Sequence, residues 1–188
     1  MARERMPAIP AERMTDAQKA AAATFAEGRG YAVRGPFMAL LRSPEVMLRA
    51  KAMGDYLRFK STLPPRLNEL AIIVTARQWG QSYEWHAHRP LAEQGGLRPE
   101  IADAIADGRR PRNMSIDEET VYDFATELHQ NKCVSDATYA RALALFGEQG
   151  VIDLTALNGY YTLIAMVLNV ARTEVPAGAT PGLEPFPR

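Results

Sequence analysis

Proline and glycine divide this chain into short segments, and almost every segment between them has the composition and spacing of an α-helix. Ser43 followed by Pro44 is a typical helix start, because serine caps a helix and proline suits its first turn. No segment shows sustained polar and apolar alternation, and no hairpin dipeptide occurs. The sequence therefore predicts an all-α fold. The predicted helices cover residues 16–27, 44–60, 66–78, 82–94, 138–148 and 153–172, with a short one over about 97–108 and another that begins after Ser115.

The balance of charges excludes one large class of function. The chain has 188 residues, with 22 Lys+Arg against 22 Asp+Glu, so its formal net charge is zero. A neutral chain without a long basic run lacks the electrostatic footprint of a protein that binds nucleic acid. Its length and its 47% hydrophobic fraction fit one domain with a sizeable core, which we take to span residues 1–188.

Hydropathy gives no sign of a membrane segment or a secretory signal. Residues 1–14 are positively charged but contain no apolar run of the kind that a signal peptide needs. The longest apolar stretch, residues 160–171, is interrupted by polar residues and is too short to span a bilayer. We therefore expect a cytoplasmic protein with no membrane partner.

Cysteine usage excludes two further kinds of site. Cys133 is the single cysteine of the chain. One cysteine forms neither an internal disulfide nor a CxxC redox centre, and it does not supply a zinc site built from several cysteines.

Both ends of the sequence are rich in proline. Six of the 13 prolines lie within the first ten or the last thirteen residues. Such composition disfavours helix and predicts extended arms over residues 1–12 and 175–188. The second arm is either a frayed tail or a strap that packs Leu183 and Phe186 onto a neighbouring subunit.

One short window concentrates residues that can carry chemistry. In a helix over residues 82–94, Glu84 and His88 are i, i+4 neighbours, with the acid toward the N-terminus, and Gln81 lies on the same face. An ionised Glu84 would raise the pKa of His88 toward the range of a general acid. The alternative is an ordinary solvated pair worth about 0.3–0.5 kcal/mol.

The same window leaves two questions open. Glu84, His86 and His88 together look like metal ligands, but in a helix His86 points about 200° away from Glu84, so no metal is expected. Pro90 either kinks the helix near His86 or lies close to a first turn that begins later.

Glu69 is the other residue that needs an explanation. It lies among apolar residues on helix 66–78, which has little polar surface and should be the most buried helix. A buried carboxylate is costly unless it is paired. A turn at Gly80 would let helices 66–78 and 82–94 fold back and bring Glu69 toward His88. Alternatively, Glu69 lies on a solvent-exposed stripe with Arg66 and Arg77.

Several of these residues form a pattern that resembles a known family. The stretch from Pro65 to Arg77, the run Tyr83–His88, and Leu91, Gly96 and Leu97 are similar to the carboxymuconolactone decarboxylase family, which belongs to the alkylhydroperoxidase D-like superfamily. The resemblance is strongest over residues 44–111. It implies an all-α, alkylhydroperoxidase D-like bundle of about seven to eight helices, without a cofactor or a metal, that assembles as a homo-oligomer.

The resemblance also separates two branches of chemistry. Peroxidase members have a glutamate, a CxxC pair and a histidine four residues beyond the second cysteine. Glu69 matches the glutamate and His88 the histidine, but Gln81 and Glu84 occupy the cysteine positions. Because neither side chain forms a thiolate or a disulfide, a thiol peroxidase mechanism through this site is excluded.

The decarboxylase branch implies a set of roles for a small-molecule substrate. His88 is the general acid/base, Glu84 orients it, His86 is an alternative proton donor and Glu69 is a relay behind them. The residues assigned to substrate binding are Arg66 and Arg89 as anion anchors, with Gln81, Tyr83 and Trp85.

Three functions remain open at this point. The first is a cofactor-independent lyase that acts on a small carboxylated or lactone substrate. The second is a non-catalytic helical oligomer that binds a small ligand, and the third is a peroxidase that uses Cys133. The large apolar helices, 66–78 and 153–172, belong either to the core or to an interface between subunits.

Overall fold

A computed structural model describes residues 4–179 and 182–184 of the chain. Within those ranges the fold is entirely helical, with one 3-10 turn at Ala11–Arg13 and no β-strand. The predicted all-α class and the number of helices are confirmed. The helices are α1 (Asp16–Arg29), α2 (Pro36–Leu40), α3 (Pro44–Phe59), α4 (Pro65–Gln78), α5 (Ser82–Gln94), α6 (Pro99–Ala106), α7 (Ile116–Asn131) and α8 (Asp136–Ala171).

Local capping residues explain where most helices begin. The Thr15 hydroxyl caps α1 and accepts a hydrogen bond from the backbone N–H of Gln18 at 3.3 Å, and the side-chain oxygen of Gln18 accepts one from the backbone N–H of Thr15 at 3.0 Å. A capping box at Ser115 starts α7, and Ser135 caps α8. The predicted starts at residue 16 and after Ser115 are confirmed, and α8 begins two residues before the predicted residue 138.

Three features differ from the prediction. The 3-10 turn and α2 were not predicted, since both are too short to show a periodic pattern. The two last predicted helices are joined in α8, and Gly150, the predicted end, lies buried inside it. The break occurs at Gly147 instead, where φ is 66° and ψ is 178°, a left-handed conformation that favours glycine.

The core is built around α4. Every residue from Leu67 to Arg77 is buried, and α4 packs against α5, α7 and α8. The prediction that this helix is the most buried one is therefore confirmed. Its central position matters for function, because a carboxylate on α4 is held inside the protein.

Helix α8 is long and apolar enough to cross a membrane by length and composition. However, 56% of its most apolar window is buried inside the fold. Leu154, Leu157 and Leu168 are each no more than 1% exposed. The burial of α8 is that of a core helix.

The described parts of both ends pack on their own chain. The backbone N–H of Arg5 donates to the carbonyl of Ala171 at 2.7 Å. Leu183 is buried, and Arg77 Nη1 donates to the carbonyl of Glu184 at 2.7 Å. Residues 182–184 therefore form a strap on the same subunit. Phe186, named above with Leu183, lies outside the described residues.

A close approach of α3 and α8 requires a glycine and yields a testable prediction. A Cβ at Gly54 would lie 2.7 Å from Cζ of Tyr160 and closer still to its hydroxyl, and the Tyr160 ring is buried. Gly54→Ala should therefore lower the free energy of unfolding by about 1–3 kcal/mol. The control is Gly159→Ala on α8, where a Cβ meets nothing within 4 Å and the helix should gain about 0.5–1 kcal/mol. Equal stabilities of the two variants in denaturant titrations would contradict the packing.

Candidate functional site

The α4–α5 hairpin brings Glu69 and His88 together. Gly80, with φ of 58°, forms the turn, so that the two helices run antiparallel in contact. Nδ1 of His88 lies 2.6 Å from Oε2 of Glu69, and both residues are buried. Glu69 thus has the partner that its burial demands, and the alternative of a solvent-exposed stripe is wrong.

Glu84 contacts the other nitrogen of the same imidazole. Nε2 of His88 lies 3.4 Å from Oε2 of Glu84, one helical turn earlier on α5. The side chains are only 8% and 4% exposed, respectively, so this is not a solvated surface pair. His88 is held between two carboxylates, one from α4 and one from its own helix.

This arrangement determines the charge of His88. Burial by itself lowers the pKa of the imidazole, but the hydrogen bonds and charges of Glu69 and Glu84 outweigh it. The net effect raises the pKa of His88 from 6.5 to about 9. At neutral pH His88 is therefore an imidazolium, the form that donates a proton.

Arg58, from the last turn of α3, approaches the second oxygen of Glu69. Its Nη2 lies 3.8 Å from Oε1 of Glu69, so one carboxylate is flanked by His88 and by a guanidinium. Nε of Arg58 is buried, and among the described residues it has no hydrogen-bond partner. Arg58 therefore retains hydrogen-bonding capacity beside the imidazolium.

His88 and Glu84 lie on the wall of a cavity of about 190 Å³. Drug-sized ligands occupy cavities of about 300–1,000 Å³, so this one suits a smaller molecule. Its wall is contributed by α1, α2, α3, α5, α8 and the loop before α2. The lining residues are Phe25, Arg29, Tyr31, Arg34, Gly35, Pro36, Phe37, Arg58, Tyr83, Glu84, Ala87, His88, Leu91, Tyr160, Tyr161 and Ile164.

Aromatic side chains form much of this wall. The Tyr161 ring meets the His88 ring edge-on at a centroid distance of 5.1 Å, and Tyr160 meets Tyr161 at 5.2 Å. Burial raises the pKa of the Tyr161 hydroxyl well above its usual value, so the group stays neutral. The site therefore combines flat apolar surfaces with neutral hydroxyls and one protonated imidazole.

The structure does not bring the two predicted anion anchors to the site. Arg66 is paired with Asp117 at 2.7 Å and Glu118 at 2.5 Å. Arg89 is paired with Glu93 at 2.9 Å and Asp103 at 2.7 Å. Neither arginine lines the cavity. Because each guanidinium group is already paired with two carboxylates, the two arginines link helices to one another and do not bind a ligand.

Of the other predicted contacts, only Tyr83 lines the cavity. Gln81 caps α5 by accepting from the backbone N–H of Tyr83 at 2.7 Å, and it donates to Asn169 at 2.9 Å. Trp85 is buried, and a Cβ at Gly182 would clash with its ring, so it lies under the C-terminal strap. Gln81 and Trp85 thus have packing roles.

His86 and Pro90 also have defined places. His86 is half-buried and does not line the cavity, which leaves His88 as the histidine of the site. Pro90 lies well inside α5, which begins at Ser82, so the alternative of a later helix start is wrong. In the part of the chain that the structure describes, no cluster of His, Cys, Asp and Glu is suited to hold a metal ion.

Sequence reasoning missed the arginines of the cavity and all of its tyrosines except Tyr83. Arg58 near the end of α3 looks like an ordinary cation at a helix C-terminus, and Arg34 looks like a loop residue. Tyr160 and Tyr161 lie in the most apolar helix, where two adjacent hydroxyl groups could have indicated a functional site. The pairing of Gly54 with Tyr160 depends on tertiary packing and has no sequence signature.

The match to a family model agrees with the residues of the site. Residues 44–127 match the Carboxymuconolactone decarboxylase family. The matched range includes Arg58, Glu69, Glu84 and His88, whereas the tyrosines of α8 lie beyond it. The resemblance noted in the sequence is confirmed. No protein of curated function matches the chain significantly.

Solved structures share the fold over almost the whole chain. A peroxidase-related protein from Ralstonia eutropha with an alkylhydroperoxidase AhpD core has a TM-score of 0.73 and 16% identity, covering 93% of each chain. A variant of the debrominase Bmp8 in complex with 2,3,4-tribromopyrrole has a TM-score of 0.71 and 10% identity, covering 94% of each chain. A peroxidase-related protein from Silicibacter sp. has a TM-score of 0.71 and 15% identity, covering 92% of this chain and 90% of that one. The alkylhydroperoxidase D-like fold is confirmed.

Proposed function

Residues 44–127 belong to the carboxymuconolactone decarboxylase family, and from this premise we propose that the protein is a cofactor-independent lyase. It acts on a small carboxylated or lactone substrate, and His88 is the proton donor. The observation that carries the proposal is the buried His88 imidazole, held between Glu69 and Glu84 at the wall of the cavity. In a solvated pair the pKa of His88 would stay close to 6.5, whereas here it is raised to about 9.

The proposed reaction needs one proton and no external electron donor. Loss of CO2 breaks the carbon–carbon bond to the carboxylate, and the bonding electron pair moves into a conjugated carbonyl to give an enolate. The enolate carbon then takes the proton from Nε2 of His88, the nitrogen on the side of Glu84. Neutral His88 regains a proton from water, with Glu84 as the carrier at 3.4 Å.

Glu69 acts through His88 in this proposal and is a positioning residue. Its 2.6 Å contact fixes the orientation of the ring and stabilises the protonated form. Glu69 is absent from the cavity lining. Glu84, by contrast, lies on the cavity wall, where its carboxylate is 3.4 Å from Nε2 of His88.

We further propose that the protein is a cytoplasmic homo-oligomer. Support comes from apolar side chains that remain exposed on the outer face of α8. Ile152 is 65% exposed and Val170 is 56% exposed, and Met166 and Leu163 lie between them on the same helix. A face of this kind suits contact with another subunit.

The reaction is tested by turnover in D2O. Candidate carboxylated lactones are incubated with the protein, and CO2 release and the deuterium content of the product are measured. The proposal predicts CO2 release together with one deuteron on the carbon that carried the carboxylate. Deuterium incorporation without CO2 release would favour another proton-transfer reaction, and neither signal with any substrate would favour the ligand-binding alternative.

The same preparations test the peroxidase alternative. Cys133 is exposed and does not line the cavity. The lyase proposal predicts that Cys133→Ser leaves both CO2 release and any consumption of hydroperoxide unchanged. Loss of peroxide consumption in that variant would assign peroxidase chemistry to Cys133.

A further inference from the structure

The cavity wall carries more positive than negative charge. Arg29, Arg34 and Arg58 line it together with the imidazolium of His88, whereas among the described lining residues Glu84 is the single carboxylate. Behind the wall, Glu69 faces both His88 and Arg58. A site with such an excess of cations attracts an anionic ligand.

Arg29 is already committed to the fold. It forms an ion pair with Asp55 at 2.7 Å and lies over the rings of Phe25 and Phe37 at 5.2 Å and 4.9 Å. Asp55 also holds Lys51 at 2.7 Å. Arg29 therefore joins α1 to α3 and has little hydrogen-bonding capacity left for a ligand.

Arg34 and Arg58 are in a different situation. Arg34 lies over the Tyr31 ring at 3.9 Å, and no described carboxylate is within ion-pair distance of it. Arg58 is 3.8 Å from Glu69, too far for a hydrogen bond, and its buried Nε has no described partner. A buried N–H without a partner is costly, and a bound acceptor would remove that cost.

Two glycines bring tyrosine hydroxyls next to these arginines. A Cβ at Gly35 would lie 3.0 Å from the hydroxyl of Tyr83, one residue from Arg34. The hydroxyl of Tyr160 lies against Gly54, one helical turn before Arg58. No described side chain or backbone group hydrogen-bonds to either hydroxyl. Each arginine is thus accompanied by a neutral group that can donate or accept a hydrogen bond.

We propose that Arg34 and Arg58 form the anion subsite of this cavity and that its ligand is a small, flat ring acid. The guanidinium groups bind the carboxylate, and the hydroxyls of Tyr83 and Tyr160 beside them add hydrogen bonds to it. A planar carboxylate matches the donors of a guanidinium group. The aromatic wall at Tyr161 suits a flat ring, and the 190 Å³ volume limits its size. The inference rests on the proposed function for the choice of cavity.

Binding calorimetry at pH 7.5 with 4-hydroxybenzoate as the probe tests this subsite. The neutral analogue 4-hydroxybenzamide has the same shape without the charge and should bind at least about 10-fold more weakly. Arg58→Met and Arg34→Met should each weaken binding of 4-hydroxybenzoate about 10- to 100-fold, the loss expected for a charged hydrogen bond. Arg49→Met is the matched control, since Arg49 lies on α3 with Arg58 but its side chain is 82% exposed.

These binding measurements test the anion subsite independently of the proposed decarboxylation. The proposed subsite would be overturned if the acid did not bind, or if the acid and the amide bound with equal affinity. Unchanged affinity in both arginine variants would overturn it as well. Arg34 is exposed, so its variant remains folded and informative even where Arg58→Met is destabilised. Because calorimetry needs no turnover, acid binding that depends on the arginines supports the subsite even if no decarboxylation is found.

Discussion

Replacing His88 with alanine is expected to lower turnover about 10²- to 10⁴-fold, the contribution typical of a positioned general acid. The physical reason is that His88 alone, among the described lining residues, presents a protonated imidazole to the cavity. The measurement is kcat on a substrate identified in the D2O assay, with circular dichroism to verify the fold. His88→Gln is the second variant, because glutamine fills the space but does not act as an acid near neutral pH.

His86 provides the discriminating comparison. It lies two residues away on the same helix, half-buried and outside the cavity lining. Full activity in His88→Ala together with loss of activity in His86→Ala would move the proton donor to the alternative histidine and contradict the proposed roles. Loss in both variants with an intact fold would indicate a relay that includes both rings.

The stability of the protein is expected to fall by about 3 kcal/mol as the pH rises from 6.5 to 9, through the titration of His88 alone. Below pH 6.5 both the folded and the unfolded chain hold the proton of His88. Above it the unfolded chain releases that proton, while the folded chain keeps it until about pH 9. The folded state therefore binds more protons across this window, and its free energy of unfolding decreases with rising pH.

The measurement is the free energy of unfolding from denaturant titrations at a series of pH values. His88→Gln removes the titrating group, so the difference between the wild-type and variant curves isolates its contribution. The groups that face His88 are Glu69 from α4, Glu84 from α5 and the ring of Tyr161 from α8, with Arg58 from α3 behind Glu69. A difference curve that stays flat between pH 6.5 and 9 would contradict the raised pKa.

The hairpin that carries Glu69, Glu84 and His88 was predictable because its signals are local. Glycine at position 80 indicates a turn, and an i, i+4 spacing brings Glu84 onto the face of His88. The apolar residues around Glu69 on α4 favoured its burial, with a solvent-exposed stripe as the alternative that the sequence left open. A buried carboxylate needs a partner, and the facing helix offered one.

The anion-binding side of the cavity was not predictable by the same reasoning. Arginines at positions 66 and 89 stand close to the catalytic residues in sequence, yet both are paired with carboxylates of α5, α6 or α7. Arg58 and Arg34 reach the cavity because α3 packs against α8 and the loop before α2 lies against Tyr83 of α5. Their position depends on long-range contacts such as that between Gly54 and Tyr160, which one sequence does not reveal.

The structure shows what occupies the two positions at which the resemblance places the cysteines of peroxidase members. Gln81, at the first cysteine position, caps α5 and ties it to α8 through Asn169. Glu84, at the second, places a carboxylate 3.4 Å from Nε2 of the imidazole. Because neither side chain forms a thiolate, these two positions supply a capping group and an acid rather than thiol chemistry.

The proposed proton transfer requires that His88 is a cation at neutral pH, held between Glu69 and Glu84 at the cavity. The most direct measurement is a pH titration of the His88 ring nitrogens by 15N NMR, assigned by comparison with His88→Gln. We expect both ring nitrogens to carry protons at pH 7.5 and the ring to titrate near pH 9. A neutral ring at pH 7.5, with a transition at or below 6.5, would contradict it.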